Sequence, residues 1–453
     1  MKIKKIHTKY NGFELYTLFE NYAYSFILDS GMDRERLGKY SFIGFDPFLV
    51  FKSKNGTITI EEGNTIRVLK GDPFHELKEI MKKYEFKYDS PLPFIGGAVG
   101  YFSYDLCHHV EKLPRTAIDD VNIYDCHFGL YDGIIVVDHT EDETYICSLG
   151  IKDDENKVIE FIENIINKKP LPSVEEENKG EVTIESNFTK ENYVKAIESI
   201  KDYIKNGDIY QANMTQRFTA NMTQSPLSLY SKLRKINPAP FAAFINLKDH
   251  HILSSSPERF IQIRDNHVET RPIKGTRPRG KSPEEDRLNR EDLLSSEKDK
   301  SELLMIVDLE RNDLGRVCKW GSVSVPELFT LETYPTVYHL VSTVVGELRD
   351  EIHPIDCIKY SFPGGSITGA PKIRAMEVID ELEPTGRNLY TGSIGYIGFN
   401  GHIDTNIVIR TILCKNNRAY FQAGGGIVWD SNAHLEYEES LHKAKALMNA
   451  LKL

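Results

Sequence analysis

No stretch of this chain stays apolar for the ~20 residues that a membrane-spanning helix needs. The six cysteines, Cys107, Cys126, Cys147, Cys318, Cys357 and Cys414, are scattered, with no CxxC pair and no zinc spacing; free, mostly buried thiols are expected. Internal repeats and low-complexity tracts are missing. Neither GxxxxGK followed by Ser or Thr nor GxGxxG occurs, so no nucleotide site follows. Cationic excess is also absent: the formal net charge is −11, which argues against a nucleic-acid surface. The basic start, Met1 to Lys5, is followed by Thr8, Lys9 and Asn11 where a signal peptide would be apolar. The expectation is a cytoplasmic protein with neither a membrane nor a nucleic-acid partner.

What remains is ordinary for a soluble globular protein: 453 residues, 40% hydrophobic and 27% charged, enough for one very large domain or two. The first ~170 residues are rich in Phe, Tyr, Ile and Val, and Gly133–Asp138 and Glu143–Cys147 look like strands. The segment 168–180 holds two prolines, a charge run and a closing glycine, which predicts a linker over 171–188 between regions 1–170 and 189–453. Thr189 can cap a helix with apolar positions Tyr193, Ile197, Ile200 and Ile204, stopped at Gly207. Strand-rich stretches mixed irregularly with helices predict an α+β fold.

The C-terminal region carries the unusual motifs. In PIKGTRPRG (272–280) two prolines and two glycines pin a backbone from which Lys274, Arg277 and Arg279 project, a turn suited to an anion. A solvated basic turn explains it equally well. FPGGSITGAPKIRAME (362–377), which contains Ser366, reads as a glycine-rich loop entering a helix, or a plain tight turn. AGGGIV (423–428), with Gly425 and Gly426, reads as a small-residue loop to which something comes close, or a hairpin bend. Asp299 and Glu302 stand at i, i+3, while Glu436, Glu439 and Lys443 share one helical face. Two such carboxylate pairs can hold Mg²⁺, although solvated helix faces are the commoner cause of such spacing. Glu258 follows a serine turn and suits a general acid. His339 sits among apolar residues, where a lone histidine is usually part of the core. Arg410 ends a strand-like run and can grip a carboxylate.

Taken in order, SSSPERF, PIKGTRPRG, ELLMIVDLERNDLGR, YHLVS, FPGGSITGAPKIRAME, GYIGFNG, NIVIRT, GGGIV and EYEESLHKAKAL resemble the chorismate-utilising enzymes. These include anthranilate synthase component I, aminodeoxychorismate synthase component I, isochorismate synthase and salicylate synthase. The resemblance runs from ~190 to 450 and extends more weakly to Leu28–Gly31 and Gly38–Gly44. It implies a large two-subdomain antiparallel β-sheet sandwich with flanking helices. It also implies Mg²⁺ held by Glu302 and Glu439, with Asp299 and Glu436 in support, against a carboxylate of chorismate. Arg410, Lys443 and the backbone at Gly425 and Gly426 match substrate-carboxylate positions. Thr276, His339 and Ser366 match active-site positions, and Glu258 matches the acid that helps the C4 hydroxyl leave. Ser30, Pro240 and Phe241, with Asp29 where Glu is common, match a pocket that holds tryptophan in relatives.

Two positions discriminate within the family. Gln211 stands where the hydrating members carry a Lys that activates water. Anthranilate synthases typically read PIAGT, whereas PIKGT resembles the aminodeoxychorismate synthases of folate and 4-aminobenzoate biosynthesis. There Lys274 would attack C2 of chorismate, its pKa lowered by burial or by cations such as Arg277 and Arg279. No cysteine lies in a glutaminase nucleophile elbow and no pyruvate-releasing lyase domain is visible, so ammonia is expected from a separate glutaminase subunit. The alternatives are anthranilate synthase component I and a non-catalytic tryptophan sensor on the same fold.

Overall fold

The computed structural model describes residues 1–33, 36–88, 90–174, 180–334 and 337–453. Of the expected linker, residues 175–179 lie outside the described residues. Among the described residues no helix is long and apolar enough to cross a membrane.

Two 12-stranded sheets with antiparallel pairing make up the molecule, and helices flank them, an α+β architecture as expected. Both sheets draw strands from before and after the 171–188 segment. In the first, Phe26–Asp29 pairs with Phe241–Asn246 (Ala242 opposite Asp29). In the second, Gly97–Phe102 pairs with Ser393–Gly398 (Phe102 opposite Ser393). These two seams join the N-terminal and C-terminal strands into shared sheets. The core between the sheets is correspondingly continuous: Phe26, Phe51, Phe102, Ile245, Ile261 and Ile394 belong to one buried cluster. Gly97–Phe102 and Cys126–Tyr131 are buried along their whole length, which is why, His127 apart, they read as apolar and small residues rather than as an alternating pattern.

The helices obey local rules. Thr189 Oγ1 accepts from Asn192 N and starts Lys190–Lys205, which buries Tyr193, Ile197 and Ile200 against Gln211–Asn221. Each such side chain contributes roughly 1.5–3 kcal/mol. The helix ends before Gly207, whose φ of +81° is free to a glycine. Gly133–Asp138 and Glu143–Ser148 are strands, as expected, and they pair with each other as a hairpin. Helix Lys372–Leu382 follows Ala370 and Pro371, as the glycine-rich motif suggested.

A buried ion pair fastens this helix to the sheet. Glu383 Oε1 accepts from Thr215 N at 3.0 Å and from Thr215 Oγ1 at 2.7 Å. Arg387 Nη2 donates to Glu383 at 2.8 Å and to Asn213 O at 2.6 Å, while Nη1 donates to Ile367 O at 2.9 Å. Both side chains are almost fully buried, at 1% and 3% exposure, so losing one partner strands a charge. Arg387→Met should therefore cost about 3–5 kcal/mol. Guanidinium unfolding midpoints should show it, and adding Glu383→Gln should restore part of the loss.

Candidate active site

Chain crossings between the sheets build the site. His250–Ser256 lies in the first sheet and Arg259–Arg264 in the second; Glu258 sits on the link. Ile403–Ile407 lies in the second sheet and Thr411–Lys415 in the first; Arg410 sits on that link, at φ +52°. The links run side by side. Ile407 N donates to Glu258 O at 3.0 Å, Ser255 N to Arg410 O at 3.1 Å, and Ser256 Oγ to Ile407 O at 2.6 Å. A non-glycine residue in the left-handed region is uncommon, and here it turns the chain at the site.

Around these links lies a cavity of about 530 Å³. It gathers Glu258, Lys274, Thr276, Asp299, Glu302, His339, Ser366, Arg410, Gly425, Gly426, Glu436, Glu439 and Lys443, residues the sequence separates widely. Ser30, Pro240 and Phe241 instead line a separate cavity of about 60 Å³ at the seam of the first sheet. Beside it Arg234 Nε donates to Asp29 at 2.8 Å.

Lys274 lies on strand Ile273–Pro278, opposite Leu340. A bulge at Gly275, φ +77°, then brings Thr276 opposite His339. Burial holds the Lys274 amine below its ordinary pKa; Glu302 opposes the shift and Lys443 adds to it. Burial was expected to act in this way, but the cations named from the sequence do not. Arg277 is bound by Asp292 and Asp299, and Arg279 by Asp286, because the motif forms a strand flanked by two helices rather than a free turn.

Glu258 is 4% exposed. Burial pushes its carboxyl up to about 7, although nearby Ser366, the Lys274 ammonium and the Ile273 N–H pull the other way. Glu258 Oε1 and Ser366 Oγ are both buried without a hydrogen-bond partner in the protein, so each has capacity left for a ligand. His339, lowered to about 4 by burial and by Arg410, is a neutral imidazole whose Nδ1 stands 2.9 Å from Thr276 Oγ1. Arg410 donates to Lys443 O, and among the described residues no carboxylate forms an ion pair with it. A half-buried guanidinium without a counter-ion among the described residues favours an anion in the cavity.

The glycines 424–426 need a correction. They form no loop but lie inside strand Arg418–Ile427, opposite Thr215, Met214 and Asn213. The close approach expected there is real. A Cβ on Gly424 would stand 1.9 Å from Met214 O, and one on Gly426 would stand 2.3 Å from Gln211 Nε2 and 3.5 Å from Lys274 Nζ. On Gly425 it would crowd Glu436 Oε2, Lys443 Nζ and Glu439 Oε1 at 3.3–3.7 Å. Gln211 is buried behind Gly426 at the start of its strand, with Oε1 unpartnered.

The carboxylates sit on two helices, Glu297–Gly315 and Ala433–Lys452. Lys298 Nζ stands 3.9 Å from Glu302 Oε1 and 3.7 Å from Glu436 Oε1, so one carboxylate from each helix flanks a single cation. Burial raises Glu302, helped by Asp299 and Glu436. Burial would raise Glu439 too, but Lys443 Nζ at 2.7 Å leaves it below its ordinary value. Asp299 is engaged by Arg277 rather than by this cluster. Among the described residues no three His, Cys, Asp or Glu side chains converge as a ready metal cage. The donor set, oxygen-only and already gathered round a cation between two helices, fits Mg²⁺ completed by water and an anionic ligand.

Sequence reasoning passed over Lys298, Asn213, Tyr390, Gln422 and His442, which also line the cavity. Only Lys298 carried a signal, its i, i+4 spacing to Glu302.

A cavity lined by Lys274, Arg410 and Lys443 together with several carboxylates, set between two large antiparallel sheets, suits a small anionic ligand. Comparison with known proteins gives the family. The model described as chorismate binding enzyme matches residues 24–449, and the chain belongs to that family. It is 41% identical to anthranilate synthase component 1 of Acetivibrio thermocellus over 96% of this chain and 92% of that protein. It is likewise 41% identical to aminodeoxychorismate synthase component 1 of Bacillus subtilis (strain 168), over 93% and 91%. Among solved structures, anthranilate synthase component I from Streptococcus pneumoniae TIGR4 matches with a TM-score of 0.81 at 33% identity, covering 90% of this chain and 92% of that one. The menaquinone-specific isochorismate synthase of Escherichia coli matches in fold, with a TM-score of 0.73 at 16% identity over 99% and 94%. The chain is thus a chorismate-utilising enzyme, and relatives of two activities stand equally near.

Glu258 gives a test independent of the reaction. Its ordinary value is 4.5 and its folded value about 7, so the folded protein holds this proton more tightly. The stability it contributes is whole below about pH 4.5 and is lost as pH rises through about 7. Glu258→Gln, which keeps the neutral form, should gain stability over the wild type across that window. Chemical unfolding from pH 4.5 to 8 reads the difference; parallel profiles would refute a raised Glu258.

Proposed function

We propose that this chain is the synthase component of an aminodeoxychorismate synthase, converting chorismate and ammonia to 4-amino-4-deoxychorismate. The observation that carries this reading is Lys274. A primary amine kept below its ordinary pKa lines the cavity, with a carboxyl near neutrality, Glu258, in its electrostatic reach. Family members of the other activity typically carry alanine there, which offers no nucleophile.

In this reading the neutral Lys274 amine bonds to C2 of chorismate. The ring double bonds shift to C1–C6 and C4–C5, and the C4 hydroxyl leaves as water with the proton of Glu258. The Glu258 carboxylate then takes the excess proton from the Lys274 nitrogen. Ammonia bonds to C4, the double bonds return, and the C2–N bond breaks as Glu258 returns its proton to Lys274; the new C4 ammonium reprotonates Glu258. The sum is chorismate plus ammonia giving 4-amino-4-deoxychorismate and water, with the enolpyruvyl group retained.

Arg410 and the backbone beside Gly425 would orient the carboxylates, with Lys443 at the rim. Mg²⁺ held by Glu302, Glu436 and Glu439 would supply positive charge against one of them. The neutral His339, fixed by Thr276, would border the ring. Relatives carry the name component 1, and no cysteine here lies in a glutaminase elbow, so ammonia would come from a separate glutaminase subunit.

The second reading, anthranilate synthase component I, is favoured by the 41% identical relative of that name. Incubation with chorismate, Mg²⁺ and ammonium separates the two: fluorescent anthranilate formed without an added lyase would sink the leading one. Lys274→Ala should reduce aminodeoxychorismate formation by at least about 100-fold, scored by chromatography, and leave space for ammonia to reach C2. Unchanged activity would remove the covalent step. Glu302→Gln with Glu439→Gln should abolish Mg²⁺-dependent turnover, and surviving turnover would refute the metal assignment.

A further inference from the structure

Lys298 has no part in the scheme above, yet it occupies its most charged corner. It lies one turn before Glu302 on helix Glu297–Gly315, so both side chains emerge on the same face. Its ammonium reaches Glu302 on its own helix and Glu436 on helix Ala433–Lys452, at 3.9 and 3.7 Å. These carboxylates are 13% and 7% exposed, whereas the lysine side chain is 54% exposed. The carboxylates thus lie in the wall of the cavity, and the ammonium reaches them from the solvent side.

Lys274 acts on Glu302 from beyond ion-pair distance, and among the described residues no cation other than Lys298 pairs with Glu302 or Glu436. Lys443 is held by Glu439 and Gly424 O, and Arg277 by Asp292 and Asp299. Glu302 and Glu436 disfavour each other when both are charged. Ser431 Oγ, 2.7 Å from Glu436 Oε1, leaves that second charge unneutralised. Without a cation between them, the two helices would carry facing, half-desolvated negative charges.

We propose that the Lys298 ammonium is a resident counter-ion for the Glu302–Glu436 gap, holding the two helices in register when no metal is bound and swinging outward to admit a divalent cation. This rests on the reading that these glutamates take such a cation. A long, flexible, half-exposed stem lets the ammonium leave at small cost, since exposed pairs of this kind are weak. A divalent ion cannot share the gap with it, because the two positive charges would repel at contact distance. Lys298 is thus a positioning residue that sets the threshold for metal entry: it lowers affinity in exchange for an ordered, metal-free site.

Manganese binding tests this without substrate or turnover. Mn²⁺, an oxygen-seeking surrogate for Mg²⁺, loses its free-ion electron paramagnetic resonance signal when it binds, so affinity is read directly. Lys298→Met, which keeps the stem and removes the charge, should bind Mn²⁺ about 3- to 10-fold more tightly than the wild type. The metal-free variant should melt at a lower temperature, and saturating Mn²⁺ should abolish the deficit. Lys298→Arg, which keeps the charge, should behave as the wild type. A lysine with a merely structural role would lower the melting temperature with and without metal and leave Mn²⁺ affinity unmoved or weaker; that result overturns the counter-ion role. If Mn²⁺ binds neither the wild type nor Lys298→Met, the metal reading itself fails and takes the inference with it. Binding to the wild type that Lys298→Met does not tighten sinks the inference alone.

Discussion

Two short links carry the polypeptide from one sheet to the other, and the hydrogen bonds that tie them side by side constrain everything at the cavity. Because Ile407 N is bound to Glu258 O and Ser255 N to Arg410 O, an acid and a cation from distant parts of the chain cannot move independently. The sheets on either side are long and many-stranded, so the links are anchored at both ends in extended hydrogen-bonded structure. Strand Ile273–Pro278 then adds Lys274 from one sheet, and the glycine run of Arg418–Ile427 closes the cavity from the other. Reacting groups held on rigid elements in this way need little reorganisation when a ligand arrives.

Charge compensation is the second theme. A protein of net charge −11 has to hold an anion, and it does so by spending its arginines unevenly. Arg277, Arg279 and Arg387 are each neutralised by a carboxylate, whereas half-buried Arg410 has none among the described residues. Removal from bulk water raises Glu258 and lowers Lys274, so one cavity brings together a cation free for an anion, a raised acid and a lowered amine.

The sequence was most legible where chemistry is local. The Thr189 cap, the stop at Gly207, the strands Gly133–Asp138 and Glu143–Ser148 and the helix after Pro371 all follow from short-range rules. The site residues were found because they stand in ordered motifs, and the structure gathers them round one cavity. Two things stayed out of reach. Three glycines in a row contradict strand propensity, and only the backbone of Met214 and the side chain of Gln211 pressing on Gly424 and Gly426 explain why a strand tolerates them. The orientation of Arg277 and Arg279 depends on helix Pro283–Ser295 and the start of the next, which pass over that strand and offer Asp286, Asp292 and Asp299. Spacing within the motif holds no record of that partner.

The two seams have a consequence for how the chain reaches this state. Phe26–Asp29 and Gly97–Phe102 each offer an open edge until their partners exist, and those partners are Phe241–Asn246 and Ser393–Gly398. A ribosome delivers the first partner only past the middle of the chain and the second near its end, so the emerging N-terminal region carries unpaired apolar edges for much of its synthesis. Final closure of the second sheet waits on pairing between remote segments, which is inherently slow. Folding of this enzyme is therefore a matter of timing, in which a strand made in the first quarter of the chain, Gly97–Phe102, is completed only by one from its last fifth.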